Sequence, residues 1–168
     1  MSATAAAPAH RVDARAGKYL TFFLGDEEYG LEILKVQEII GMLPVTRVPR
    51  TAPYVRGVIN LRGRVIPIVD LRVKFGMPEW AGDDTTCMIV VQVQGVQLGV
   101  VVDRVSEVLA ILEDEIDDAP SFGAAVTTEF LLGIAKSAGR IKLLLDIDRV
   151  LTTDDVIDIR ATVDAEPA

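Results

Sequence analysis

The chain is poor in the residues that carry most enzyme chemistry. Its 168 residues include one cysteine and one histidine. A lone Cys87 excludes an internal disulfide and suits a reducing compartment. Its setting in the strand-forming run from Thr85 to Val93 reads as a small buried hydrophobe, with no neighbouring base or cation to activate it. His10 lies in an alanine-rich start, which argues against a Ser-His-Asp or Cys-His arrangement. No pair of His or Cys has zinc-ligand spacing, and Gly25 to Gly30 lacks the Lys-Ser/Thr of a phosphate loop. The acid clusters at Asp26-Glu27-Glu28, Asp83-Asp84 and Glu113 to Asp118 lack a calcium-loop pattern and fall where turns are expected. A paired-carboxylate hydrolase would still need a pocket. No catalytic residue, metal or cofactor is therefore expected, and the chain reads as a non-enzyme. No apolar run approaches the roughly 20 residues that span a bilayer, and residues 1–17 lack the apolar stretch expected of a secretory signal. Residues 1–17 read as a disordered tail, and no membrane insertion is expected.

What is present is a globular composition, half apolar and a quarter charged. The length suits one domain, or two small ones sharing a core. The net charge of −8 disfavours a general nucleic-acid binder, yet the charge is uneven. Between Gly41 and Pro78 lie Arg47, Arg50, Arg56, Arg62, Arg64, Arg72 and Lys74 against the single acid Asp70, so that stretch is +6 and the rest −14. It is either a solvated basic face or a docking surface for an acidic protein. A barrel that bound single-stranded nucleic acid there would need aromatic platforms, and the stretch has only Tyr54 and Phe75.

An internal repeat organises the chain. At an offset of 69, Gly30, Val36 and Glu38 fall on Gly99, Val105 and Glu107. Further on the offset is 76: Val55 to Ile59 falls on Leu131 to Ala135, Gly63-Arg64 on Gly139-Arg140 and Asp70-Leu71 on Asp146-Ile147. The seven extra residues belong in the acidic loop from Glu113 to Gly123.

Each copy reads as five short strands. In the first they are expected near Tyr19 to Leu24, Glu28 to Ile33, Val45 to Val48, Tyr54 to Leu61 and Val65 to Val69, with a hairpin closed at Arg62-Gly63. In the second they fall near Thr86 to Val93, Val96 to Val101, Ile116 to Ala119, Phe130 to Ala135 and Ile141 to Leu145. Leu34 to Ile40 and Val102 to Leu109 read as short helices, and Asp70 as the cap of a last helical turn. The expected fold is all-β: two small closed barrels, about 18–78 and 85–152, packed on each other across a connector at Pro78 to Asp84. Residues 153–168 form a further acidic segment whose role the sequence leaves open.

These residues also carry a resemblance. Gly25 to Gly30, Ile33 to Ile39 and Val45 to Pro49 resemble the CheW family of chemotaxis adaptors. So do Arg56-Gly57-Val58-Ile59-Asn60-Leu61-Arg62-Gly63-Arg64-Val65-Ile66-Pro67-Ile68-Val69-Asp70-Leu71-Arg72 and Gly99 to Leu109, and the likeness covers about Tyr19 to Leu151. It implies two five-stranded SH3-like β-barrels around a shared hydrophobic core. It implies a cytoplasmic scaffold, recruited to receptor arrays at the inner membrane, that couples chemoreceptors to the regulatory domain of the histidine kinase CheA. An adaptor of a non-flagellar array is the neighbouring alternative.

Carried over by motif, Val36, Glu38, Arg62, Val105 and Val108, with Cys87 and Leu98, are implied to receive the receptor's cytoplasmic helical hairpin. Met42, Val45, Thr46, Gly57 and Val58 are implied to face the kinase. Arg62 tips a hairpin near the end of the Glu38 segment, and the two are expected to pair.

Overall fold

The computed structural model describes residues 14–78, 81–118, 130–137 and 139–165. The expected N-terminal tail lies outside these apart from its last four residues. The strands are β1 (Gly17–Leu24), β2 (Glu27–Glu32), β3 (Val36–Gly41), β4 (Val55–Leu61), β5 (Arg64–Asp70), β6 (Cys87–Val93), β7 (Val96–Val102), β8 (Arg104–Ile111), β9 (Ile116–Asp117), β10 (Leu131–Ser137) and β11 (Arg140–Leu145). Helix α1 (Leu71–Lys74) follows β5, while α2 (Ile147–Val150) and α3 (Thr153–Ala165) end the chain. The repeat is visible in detail. Asp70 caps α1 by accepting from the Arg72 N–H, and Asp146 caps α2 by accepting from the Asp148 N–H.

Two SH3-like sheets result, but each draws on both halves of the chain. One runs β8-β1-β2-β11-β10-β9 and the other β3-β6-β7-β5-β4. The copies have exchanged their opening hairpins: β1-β2 inserts between β8 and β11, and β6-β7 inserts between β3 and β5. The seams are the parallel pairs β2 with β11 and β5 with β7. This corrects the expectation of barrels at 18–78 and 85–152. Hydrophobic alternation marks a strand and its inner face but carries no information about its partner.

The two expected helices are also corrected. Leu34 to Ile40 is a 3-10 turn (Ile33–Lys35) followed by β3, and Val102 to Leu109 lies mostly in β8. Apolar residues at 33, 36 and 40 fit a helix, but β-branched Val36, Ile39 and Ile40 prefer a pleated surface. Burial along β3 alternates residue by residue, the period of a strand. The strand expected at Val45 to Val48 reduces to one bridge, in which the Thr46 and Val58 N–H groups each donate to the other's carbonyl at 2.8 Å.

One large core joins the sheets, with Leu20 and Leu31 from one, Ile89 and Leu98 from the other, and Ile147 and Ile159 from the helices. Smaller cores fill each sheet's interior. Helix α3 packs on β4 and β5 and sends Val156 and Ile159 into the main core, so the acidic segment is part of the fold.

Asp155 anchors α3. Burial alone would raise its carboxyl pKa. Hydrogen bonds from Lys74 and Tyr54 and from the Thr152 N–H outweigh that and bring it down to about 2. Because the folded value lies below the ordinary one, its stabilising effect is complete above about pH 4 and disappears as the pH falls towards 2. Helical circular dichroism of the chain is expected to drop over that interval, and the drop is expected to vanish in Asp155→Asn.

Candidate functional site

Strand β3 forms one edge of its sheet, and β8 forms one edge of the other. Both carry residues singled out from the sequence. Val36, Cys87 and Val105 all pack, half-buried, against the shared core. The Val105 backbone N–H bonds to the Cys87 thiol, which joins β8 to β6, the partner of β3. Burial, the larger influence, pushes that thiol's pKa up, so Cys87 is a poor nucleophile. Val108, further along β8, is 50 % exposed. These apolar residues thus form a half-covered set, Val36, Cys87 and Val105, with Val108 open; Val36 and Cys87 stand at opposite ends of the β3-β6 pairing, across from Val91 and Gly41. Leu98 does not belong to the set. At 0 % exposure it is core and offers no surface.

The expected pairing of Glu38 with Arg62 is present. Arg62 donates from Nη1 to Glu38 Oε1 at 3.0 Å and from Nη2 to Oε2, a fork on a carboxylate. Hydrogen bonding from Arg62 holds the Glu38 carboxyl below the usual range. Two local features aim the pair. A β-bulge between Val36 and Glu38 turns the side chain at the edge of β3. At the β4-β5 tip Arg62 and Gly63 both have positive φ, 52° and 86°, the two-residue turn that suits strand twist. Since β3 and β4 are the two ends of their sheet, the pair fastens those ends together and closes the barrel.

The second group of residues surrounds the Thr46–Val58 bridge. Met42 and Thr46 are exposed and Val45 half-exposed, whereas Gly57 and Val58 are buried. Gly57 and Val58 therefore act as support and offer no side-chain surface. A Cβ on Gly57, whose φ is +141°, would overlap the Thr46 carbonyl oxygen and lie 2.8 Å from its carbon. Only glycine lets β4 and the Thr46 segment approach this closely. The repeat supplies a counterpart at Gly133, where a Cβ would sit 2.8 Å from the Asp117 oxygen.

The basic stretch is mostly committed inside the chain. Arg56 pairs with Asp70 at 2.9 Å, Arg72 with Asp103 at 3.3 Å, Lys74 with Asp155 at 2.8 Å, and Arg62 with Glu38. Among the described residues Arg47, Arg50 and Arg64 have no acidic partner. Three scattered cations are a weak basis for either an acidic-partner or a nucleic-acid surface. Sequence reasoning missed Leu34 (95 % exposed) and Ile39 (44 %). Reading β3 as a strand would have turned Ile39 outward.

Among the described residues no group of three or more His, Cys, Asp or Glu could hold a metal, and no helix is long and apolar enough to cross a membrane. The surface so described offers partly exposed valines, a forked ion pair and a bridged loop. Comparisons with known proteins identify the family. Residues 18–155 match the model of the CheW-like domain. The chemotaxis protein CheW of Klebsiella aerogenes is 42 % identical over 139 residues, covering 83 % of this chain and 84 % of that protein. CheW of Rhizobium meliloti is 35 % identical over 136 residues, covering 81 % and 88 %. The crystal structure of the scaffolding protein TtCheW from Thermoanaerobacter tengcongensis superposes with a TM-score of 0.76 at 31 % identity, over 83 % of this chain and 95 % of that one. By sequence along nearly all of its folded length, and by the arrangement of its strands, the chain belongs to the CheW-like family.

Proposed function

We propose that this protein is a non-catalytic chemotaxis adaptor, which joins the cytoplasmic helical hairpin of chemoreceptors to the regulatory domain of the histidine kinase CheA. It works in the cytoplasm at receptor arrays on the inner membrane. What supports the receptor half is the set of partly exposed valines on the edge strands, Val36 on β3 with Val105 and Val108 on β8, together with the forked pair of Glu38 on β3 with Arg62. Apolar side chains together with oriented charges are what an amphipathic helix needs for affinity and register. The kinase half rests on the exposed Met42–Thr46 segment, held in place by the bridge to Val58. The adaptor performs no reaction. It fixes the geometry in which a receptor bears on the kinase.

Pull-downs with a receptor cytoplasmic fragment and the CheA regulatory domain, each alone and then together, test the reading. Capture of both in one complex is expected, and capture of neither overturns it.

Arg62→Gly separates binding from folding. Glycine suits a left-handed turn position better than arginine does. A solvent-screened ion pair adds little to stability, so the melting temperature should change by no more than about 4 °C. Receptor binding should weaken roughly fivefold or more, as the charge-assisted fork is lost. Calorimetry and a fluorescence titration measure the two effects. Unchanged affinity would remove Arg62 from the receptor site.

A further inference from the structure

The segment from Met42 to Tyr54, which carries the exposed kinase-facing residues, contains no strand or helix and is fastened near its two ends. One fastening is the Thr46–Val58 bridge. The other is Tyr54. Its backbone carbonyl accepts from the Asp70 N–H at 2.7 Å, and its hydroxyl donates to Asp155 Oδ1 at 2.7 Å. Lys74 binds the other oxygen of Asp155 at 2.8 Å and places its ammonium 4.6 Å from the centre of the Tyr54 ring. Thr152 completes the knot, its N–H donating to Asp155 while its hydroxyl accepts from the Asp155 N–H. Between the fastenings the chain makes a turn with Arg50 at a φ of +64°, held locally by Thr51 Oγ1 donating to the Val48 carbonyl. This turn faces Asp158 and Ala161 of α3 across an open cleft. Helix α3 is the only element that reaches the Tyr54 hydroxyl among the described contacts.

We propose that Tyr54 is a positioning residue for kinase binding: its hydroxyl ties the 42–54 segment to α3 through Asp155 and Lys74, and so sets the height of Val45 and Thr46 above the sheet. The partner half of this inference rests on the adaptor reading. The mechanical half does not. The Asp70 bond fixes the Tyr54 main chain in either case; the hydroxyl adds the tie between the ring and α3, so its loss frees the turn between the two fastenings from the helix. The C-terminal helix thereby acquires a role as a brace for a surface it does not itself form. It acts at a distance from the proposed receptor residues, which lie on β3, β6 and β8.

Two variants of the full chain test this. Tyr54→Phe removes only the hydroxyl, and Lys74→Met removes the ammonium while keeping an unbranched apolar stem. Amide hydrogen exchange is measured on the protein alone. Titrations follow with the CheA regulatory domain and, separately, the receptor fragment. Expected are exchange about fivefold faster at residues 45–53 with β6 and β7 unaltered, kinase-domain affinity weaker by roughly five- to tenfold, and receptor affinity within about twofold of wild type. Unchanged exchange at 45–53 in both variants overturns the inference. So does an equal loss for both partners with faster exchange throughout, since that marks a general loss of stability. A wild-type chain that fails to bind the regulatory domain overturns the adaptor reading instead, and the exchange measurement still decides whether Tyr54 holds the segment.

Discussion

Gly57→Ala is expected to cost about 3 kcal/mol of stability and to abolish binding of the kinase regulatory domain. The added methyl has nowhere to go. It would overlap the Thr46 carbonyl oxygen, with the Thr46 carbon at 2.8 Å and the Arg47 Cα at 3.0 Å. These are backbone atoms, so no side chain can rotate aside. The φ of +141° adds strain for any residue with a Cβ. The clash can be relieved only by breaking the Thr46–Val58 bridge, which releases the Met42–Tyr54 segment proposed above as the kinase surface. For a chain of this size the loss corresponds to a melting temperature lower by about 6–12 °C. Gly63→Ala is the control. Its φ is also positive, at 86°, but nothing lies within 4 Å of the added methyl, so its cost should be about 1 kcal/mol. Thermal unfolding of the two variants side by side checks the argument. Equal destabilisation would show that conformation, and not the approach of Thr46, governs Gly57.

Glu28→Ala should be equally severe for a different reason. Glu28 on β2 and Lys142 on β11 face each other across the parallel seam, with side chains 3 % and 2 % exposed. Lys142 Nζ lies 3.9 Å from Glu28 Oε1 and donates to the Ser137 carbonyl at 2.9 Å. Arg140 also approaches Glu28, at 3.5 Å. Removing the carboxylate leaves a buried ammonium with a single carbonyl partner, a change that typically costs about 3–5 kcal/mol. The double variant Glu28→Leu with Lys142→Met removes both charges and keeps the volume, and it should recover most of that loss. Urea unfolding of Glu28→Leu, Lys142→Met and the double variant gives the coupling energy. Since Glu28 and Lys142 come from opposite halves of the chain, a coupling near zero would also argue against the exchanged-hairpin topology.

The repeat was legible because its markers have narrow physical requirements. Asp70 and Asp146 recur because both cap a short helix, and Gly63 and Gly139 because both take positive φ next to a hairpin turn. Most strands were legible from alternation and from turn residues. The Glu38–Arg62 contact was expected from the motif and is present as a fork. Three things were not legible. Val36 to Ile40 fits two periodicities at once, and only pairing with β6 resolved it as a strand. Leu98 and Val58 look like any other aliphatic in the sequence, but their positions bury them. The C-terminal acids resemble a solvated tail until Tyr54 and Lys74, about 80 to 100 residues away in the chain, give Asp155 its partners.

By itself the sequence determined an all-β chain built of two kindred copies, the turns that close its hairpins, and the absence of clustered histidines and cysteines. Those properties depend on neighbours a few residues apart, through side-chain alternation, capping and backbone freedom. The tertiary structure alone decided which hairpin joins which sheet, which cations are spent on internal acids, and which valines remain open to a partner. Each of these is a contact between distant segments, and pairing across space is selected by the free energy of the whole packed core, which no local pattern records.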